Sequence, residues 1–440
     1  VACKDCPIGY VTETKVEREH TYENGFCKAC DAYEPAVLNS NNAYEIGNAG
    51  QLYWFADKVN KERYKYVNAK AVLTADIVVN KNVLNDGDLT KDVDGLRDWT
   101  PIQQYGGTFD GAQHTISGIY CVSDTIDEAG IFQNTIDNAI VENIGVLDSY
   151  YCLKEGYNVG GIVGYNCGII RNCYNEGMVS SLYNNDNYLG GICGMNGGGI
   201  ITGCYNKGKV ANSVWETRAG GICGRSTNTI LNCYNTGSVT GGSRVGGICG
   251  SNDSSTTSGR IENCYNIGTI NSSIIDDGYK RNIAVIDDAK AVVENCYYLK
   301  SIKNQASFAK ASKTYNPNNT NSMYTLLYNK PDVQEAMFKG NMSYLTSYLW
   351  ETSVKYGSEV KGLTGLTYDQ MAQQIGDANI QTANGLNKTF GSFKDALNNG
   401  RTGSEAAYDW VTTEEQDAQG NNIPVHGKYS FPGSTDALLG

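Results

Sequence analysis

The chain has 440 residues, with 35 Lys and Arg against 47 Asp and Glu, for a formal net charge of -12. With neither a basic stripe nor a basic cluster in view, nucleic acid and anionic membrane are poor partners for it. No apolar run approaches the roughly 18 residues a spanning helix needs, and 51 glycines, 31 tyrosines and only 7 prolines fit a turn-dense, tyrosine-faced β protein rather than a disordered one. Position 1 is Val rather than Met, as expected of a chain whose signal peptide has been removed.

Residues 1–36 read as a separate small unit. Cys3-x-x-Cys6 and Cys27-x-x-Cys30 enclose 20 residues, a pairing that sets four thiolates around a tetrahedral metal. So short a segment cannot bury a core and needs a staple. One structural Zn on Cys3, Cys6, Cys27 and Cys30 is the expectation, and two disulfides are the alternative in an exported protein. His20 is placed to replace one thiolate. The knuckle Asn24-Gly25-Phe26-Cys27, with His20 and Tyr22 upstream, resembles zinc-ribbon-like pieces of surface proteins from Gram-positive gut bacteria.

Residues 37–107 carry a capping element and the first strands. Leu52, Phe55, Ala56 and Val59 fall at i, i+3, i+4 and i+7, which predicts an amphipathic helix over Ala49 to Asn60. A stack of strands leaves apolar core and unpaired backbone at its end, so the helix is expected to cover it. Val72-Leu73, Ile77-Val78-Val79 and Pro101-Ile102 read as the first strands.

Residues 108–300 repeat. Asn172-Cys173-Tyr174-Asn175 returns around Cys204, Cys233, Cys264 and Cys296, in steps of 31, 29, 31 and 32 residues. A Gly-Gly-Ile phrase alternates with it at Gly160, Gly190, Gly220 and Gly246. A period of this length marks a solenoid, and units without ten residues of helical periodicity read as short strands joined by corners, a parallel β-helix. The position before each cysteine runs Gly118, Asn143, Asn172, Gly203, Asn232, Asn263, Asn295. Glycine and asparagine most readily take left-handed angles, so this column is a bend. The next column runs Ile119, Ile144, Cys173, Cys204, Cys233, Cys264, Cys296, so its cysteines are expected as buried free thiols that pack like isoleucine.

These phrases resemble the GLUG repeat of bacterial cell-surface proteins, and Thr108-Phe109-Asp110-Gly111 through Gly118 resembles the coil that commonly precedes it. The resemblance implies a right-handed β-helix on exported proteins, extracellular or at the cell surface. Adhesins are among them, as are the non-catalytic parts of some immunoglobulin-cleaving metallopeptidases. The fold expected is thus all-β, a right-handed parallel β-helix with the four-cysteine unit, the capping helix and a mixed α/β region at 301–440. In that last region, Trp410, Gly420-Asn421-Asn422 and Ile423-Pro424-Val425 resemble the strand that closes GLUG arrays.

Catalytic signatures are sparse. The three histidines lie apart at 20, 114 and 426, and no nucleophile elbow, zinc-protease helix or phosphate loop occurs. Across the coils only Glu262 and Glu294 stack as carboxylates, which reads as a solvated face. Two function classes fit. The first is a non-catalytic surface or extracellular structural protein that holds a glycan, a protein surface or another copy of itself. The second is a polysaccharide lyase or glycoside hydrolase with its site in the C-terminal third or in side loops 182–188 and 213–218. For the first class the candidate surface is a ladder of Tyr174, Tyr205, Tyr234, Tyr265 and Tyr297, each following an inward cysteine and so pointing outward, with Tyr120 farther along the same line.

Overall fold

The computed structural model describes residues 20–310, apart from gaps at 213–215, 254–258, 273–279, 282, 287–290, 295 and 303–304. Beyond them it describes the strands Leu366–Thr367, Ile380–Gln381, Asn387–Lys388, Trp410–Gln416 and Asn422–His426. The described residues form a parallel β-solenoid of about 8 turns, with two helices, Ala49–Lys61 and Arg63–Tyr66.

Each complete coil makes five short strands. In one coil these are Ile169–Arg171, Tyr174–Asn175, Met178–Ser181, Asn187–Gly190 and Cys193–Asn196. Repetition stacks them into five walls, numbered here in that order. The first two walls are 10-stranded sheets and the other three 6-stranded. Register between rungs is parallel and follows the repeat, as in Tyr174 on Tyr205 and Ile170 on Ile201. A narrow core runs inside, made of columns such as Val141, Ile170, Ile201, Ile230 and Ile261, all 0 % exposed.

The bend between the first and second walls is left-handed at Asn143 (φ 56°), Asn172 (φ 56°), Gly203 (φ 63°), Asn232 (φ 53°) and Asn263 (φ 55°). Substituting a β-branched residue there would force a backbone region that only glycine and asparagine tolerate cheaply. Gly118 departs from the expected column. Phe109 pairs with Val141 but Thr115 with Gly145, so the bend that Asn143 makes holds two extra residues in the first copy, where Ala112 (φ 47°) and Gln113 (φ 69°) are left-handed. Gly118 (φ 79°) makes the following bend, between the second and third walls, where the next rung has Asp148 (φ 44°). The first copy has two left-handed bends five residues apart, and the Ile116-Ser117-Gly118-Ile119 phrase imitates the wrong one. Tyr120 therefore lies on the third wall, its ring 6.4 Å from that of Tyr150, and not on the tyrosine line of the second.

Helix Ala49–Lys61 starts at Asn48, whose side chain accepts from the Gln51 N–H at 2.9 Å, satisfying a donor the first turn leaves open. It joins two parallel strands of the first wall, Ala43–Ile46 and Lys70–Leu73. Its face of Leu52, Phe55, Ala56 and Val59 is buried in the same core as the coils, with Phe55 6.0 Å from Phe109, which in turn packs edge-on to Phe132. Antiparallel pairing ends the parallel stack on both sides. Val37–Leu38 folds against the first strand of the first wall, and Gln305–Lys310 against Tyr297–Ile302 of the second.

Candidate functional site

Three groups of residues invite a functional reading. The first lies in the N-terminal unit, where a two-stranded hairpin, Tyr22–Glu23 with Phe26–Cys27, turns through Asn24 and Gly25 in left-handed conformation. The turn brings His20 back onto the Cys27-x-x-Cys30 knuckle. Its Nδ1 is 3.2 Å from Cys27 Sγ and 3.6 Å from Cys30 Sγ. The hydrogen bond from His20, with one from the Ala29 N–H, pulls the Cys27 thiol down to about 6, toward the thiolate a metal binds.

Tetrahedral bonds of the usual Zn–S and Zn–N lengths hold nitrogen and sulfur about 3.6 Å apart, so these three atoms fit a zinc ion. They are the one set of three such side chains that converge among the described residues. Cys3 and Cys6, expected as the other ligands, lie outside the described residues, and the third side chain that converges with Cys27 and Cys30 is His20.

The second group is the tyrosine ladder. Tyr174, Tyr205, Tyr234 and Tyr265 stack with ring centroids 4.8, 4.8 and 5.0 Å apart and planes within 9° of parallel. The Tyr297 backbone continues the register, paired with Tyr265. Exposure differs from the expected open stripe. Tyr174 and Tyr205 are half-buried, whereas Tyr234 is 1 % and Tyr265 0 % exposed. Parallel stacking turns each ring's faces to its neighbours, so the column shows edges outward and offers no flat aromatic platform. Lys207 Nζ lies 5.3 Å from the Tyr205 ring centre and 3.7 Å from a Glu176 oxygen, giving the open end of the ladder a polar border.

The third group is the cysteines. Cys173, Cys204, Cys233, Cys264 and Cys296 form one buried column, and Cys193, Cys223 and Cys249 a second that continues Val163. No disulfide joins the described residues, and thiols of the first column donate to carbonyls two residues back, as Cys233 does to Leu231 at 3.0 Å. Burial pushes Cys173, Cys233, Cys264 and Cys296 well above the usual thiol range. These groups pack, and neither oxidant nor metal reaches them in the closed coils.

Glu262 and Glu294 stand in register. Glu262, however, is 3 % exposed rather than solvated. Arg260, two residues earlier on the same outer face, reaches over it and donates at 2.8 Å.

The residues that sequence reasoning passed over are the asparagines after each tyrosine. Asn175, Asn206, Asn235 and Asn266 point inward and hand a hydrogen bond from rung to rung, Nδ2 to Oδ1, at 3.0, 2.9 and 2.8 Å. Each amide also donates to the glycine carbonyl two residues on, Gly177, Gly208, Gly237 or Gly268. A second ladder runs up the fifth wall from Thr135 through Asn166 and Asn196 to Ser226. The signal was present in the alternation, since an inward cysteine and an outward tyrosine leave the next residue inward.

The GLUG motif matches residues 155–180, 216–240 and 241–271, all on these coils. No curated protein and no solved structure matches the chain. No helix among the described residues is long and apolar enough to cross a membrane.

Proposed function

Taking a chain that carries GLUG repeats on a β-solenoid as the premise, we propose that it is an exported, non-catalytic structural protein of a bacterial surface, holding a glycan or another macromolecule on the outer faces of its coils. One observation carries this reading. The residues that recur from coil to coil, cysteine, tyrosine, asparagine and the glycine pair, are spent on contacts between rungs, and so build a stiff scaffold rather than a reaction centre. In the N-terminal unit, zinc on His20, Cys27 and Cys30 would staple residues too few to form their own core.

Replacing Tyr205, Tyr234 and Tyr265 together by Ser tests whether the ladder is itself the binding face. Loss of adhesion or self-association with the coils still folded assigns it that role, and unchanged binding leaves it as architecture.

The second reading is a carbohydrate-active enzyme, and a specific observation favours it. Burial pushes Glu128, on the fourth wall, up to about 7, so that it holds a proton near neutral pH as a general acid must. Release of new reducing ends from plant or host glycans, lost in Glu128→Gln, would establish that reading in place of the first.

A further inference from the structure

The metal knuckle of the N-terminal unit and the helix that caps the solenoid share a joint. The first turn of helix Ala49–Lys61 has donors that no earlier turn can accept. Its cap residue answers two of them, since Gln51 donates to Asn48 Oδ1 at 2.9 Å and Leu52 to the Asn48 carbonyl at 3.2 Å. Two more are answered from outside the helix, by the tip of the hairpin Tyr22–Cys27. Gly50 donates to the Asn24 carbonyl at 2.9 Å and Ala49 to Asn24 Oδ1 at 3.4 Å, while the Asn24 amide donates to the Val78 carbonyl at 2.8 Å.

The fit is close. A Cβ at Gly50 would stand 1.8 Å from the Gly25 carbonyl oxygen, so the helix receives the hairpin tip where a side chain would exclude it. Glu34, whose N–H donates to the Gly25 carbonyl at 2.7 Å, accepts with its carboxylate from Asn48 at 2.9 Å and Gln51 at 3.3 Å. Phe26 packs edge-on to Tyr53 of the helix at 5.3 Å, with the Arg97 guanidinium 3.7 Å from its own ring centre. The next residue in the chain is Cys27, so a metal-binding side chain adjoins the residue that touches the helix.

We propose that metal binding by His20, Cys27 and Cys30 latches the cap of the solenoid, so that zinc occupancy sets whether the N-terminal end of the core stays closed. The inference rests on the reading of these three side chains as a zinc staple and adds what the staple controls. Two strands of two residues each do not hold a hairpin by themselves. His20 and Cys30 flank those strands, so a metal that joins them to Cys27 closes the base of the hairpin and keeps Asn24 and Gly25 in the shape that the helix receives. Without the metal the tip can leave, Ala49 and Gly50 lose their acceptors, and the helix that lays Leu52, Phe55 and Val59 on the core frays from its start. Each coil contacts only its neighbours, so the effect stays at that end of the stack.

The test follows amide hydrogen exchange of the full chain by mass spectrometry, zinc-loaded and after EDTA treatment, with bound zinc measured in both. Chelation is expected to speed exchange in residues 44–62 about tenfold or more and to leave residues 158–250 unchanged. Gly50→Ala separates the latch from the helix, because alanine favours helix over glycine while its methyl group keeps the hairpin tip out. This variant should still take up zinc at saturation, with an affinity lowered by a factor comparable to the protection zinc gives the wild-type cap, since coupling is reciprocal. Its residues 44–62 should exchange fast with or without the metal. Zinc that binds wild type but whose removal leaves residues 44–62 unmoved overturns the latch and leaves the staple reading standing, as does a Gly50→Ala cap that zinc still protects. Chelation that speeds the coils equally also overturns it, by showing a global role. A chain that binds no zinc removes both readings. The chelation arm needs no substitution, so it decides the matter even if Gly50→Ala fails to fold.

Discussion

The second and fourth walls are built on the same rungs but are filled by opposite rules. Every rung of the second wall from residue 174 to residue 266 repeats Tyr outward and Asn inward. The matching line of the fourth wall changes over its first four rungs, from Glu128 to Asn158, Tyr188 and Arg218, before Arg244 repeats the arginine. A column of one residue type can only bond to copies of itself, which makes it a spine. A column whose members differ makes each rung chemically distinct along the axis. In this solenoid, then, repetition marks cohesion, and departure from repetition marks where the rungs differ in chemistry.

The largest expected effect falls on the uniform wall. Asn206→Ala would leave the Asn175 donor, the Asn235 amide and the Gly208 carbonyl short of a partner in a dry core. At about 1–3 kcal/mol for each unsatisfied buried group, the loss should reach roughly 3–5 kcal/mol. Urea unfolding followed by circular dichroism reads it, and a midpoint close to wild type would mean that the ladder is filler and the comparison fails.

Next in size is a pH effect on the changing wall. Burial raises the Glu128 pKa from 4.5 to about 7, so the folded state binds this proton more tightly than the unfolded chain does. Stability from this group is full below about pH 4.5 and is lost as pH rises to about 7, for a difference of at most about 3 kcal/mol. Thermal melts across that range should flatten in Glu128→Gln, and a slope that survives the substitution would point to another group.

The smallest effect is expected at Arg218, whose side chain is 18 % exposed and paired with Asp186, itself 42 % exposed. Arg218→Gln should cost about 1 kcal/mol or less, in keeping with a pair that water reaches. A loss as large as that of Asn206→Ala would show that the fourth wall, too, is mainly structural.

How much of this was legible in the sequence follows from the same contrast. The period, the left-handed column at Asn172, Gly203, Asn232 and Asn263, and the two buried cysteine columns can be read because each recurs in register. Gly118 misled because neighbouring bends of one coil share a backbone requirement, and residue type alone does not say which bend is which. The asparagine ladder was hidden in plain repetition, since Asn175 looks like part of a turn phrase until alternation is applied across it. Exposure of the tyrosines depends on what stands beyond the sheet, which no periodicity encodes. The fourth-wall column of Asn158, Tyr188 and Arg218 was illegible because its members resemble one another in nothing but position.

The two thiol columns bear on how the chain matures. Once the coils close, Cys173 through Cys296 and Cys193 through Cys249 are sealed by 0 % exposure. Before closure they are ordinary reactive groups, strung along the polymer at one-coil intervals. If the chain matures in an oxidising compartment, formation is then a race between winding and cross-bridging, with early winding rewarded by permanent chemical shelter. A labelling reagent added during refolding would count the coils still open at each moment, turning the columns into a clock for the direction in which the solenoid winds.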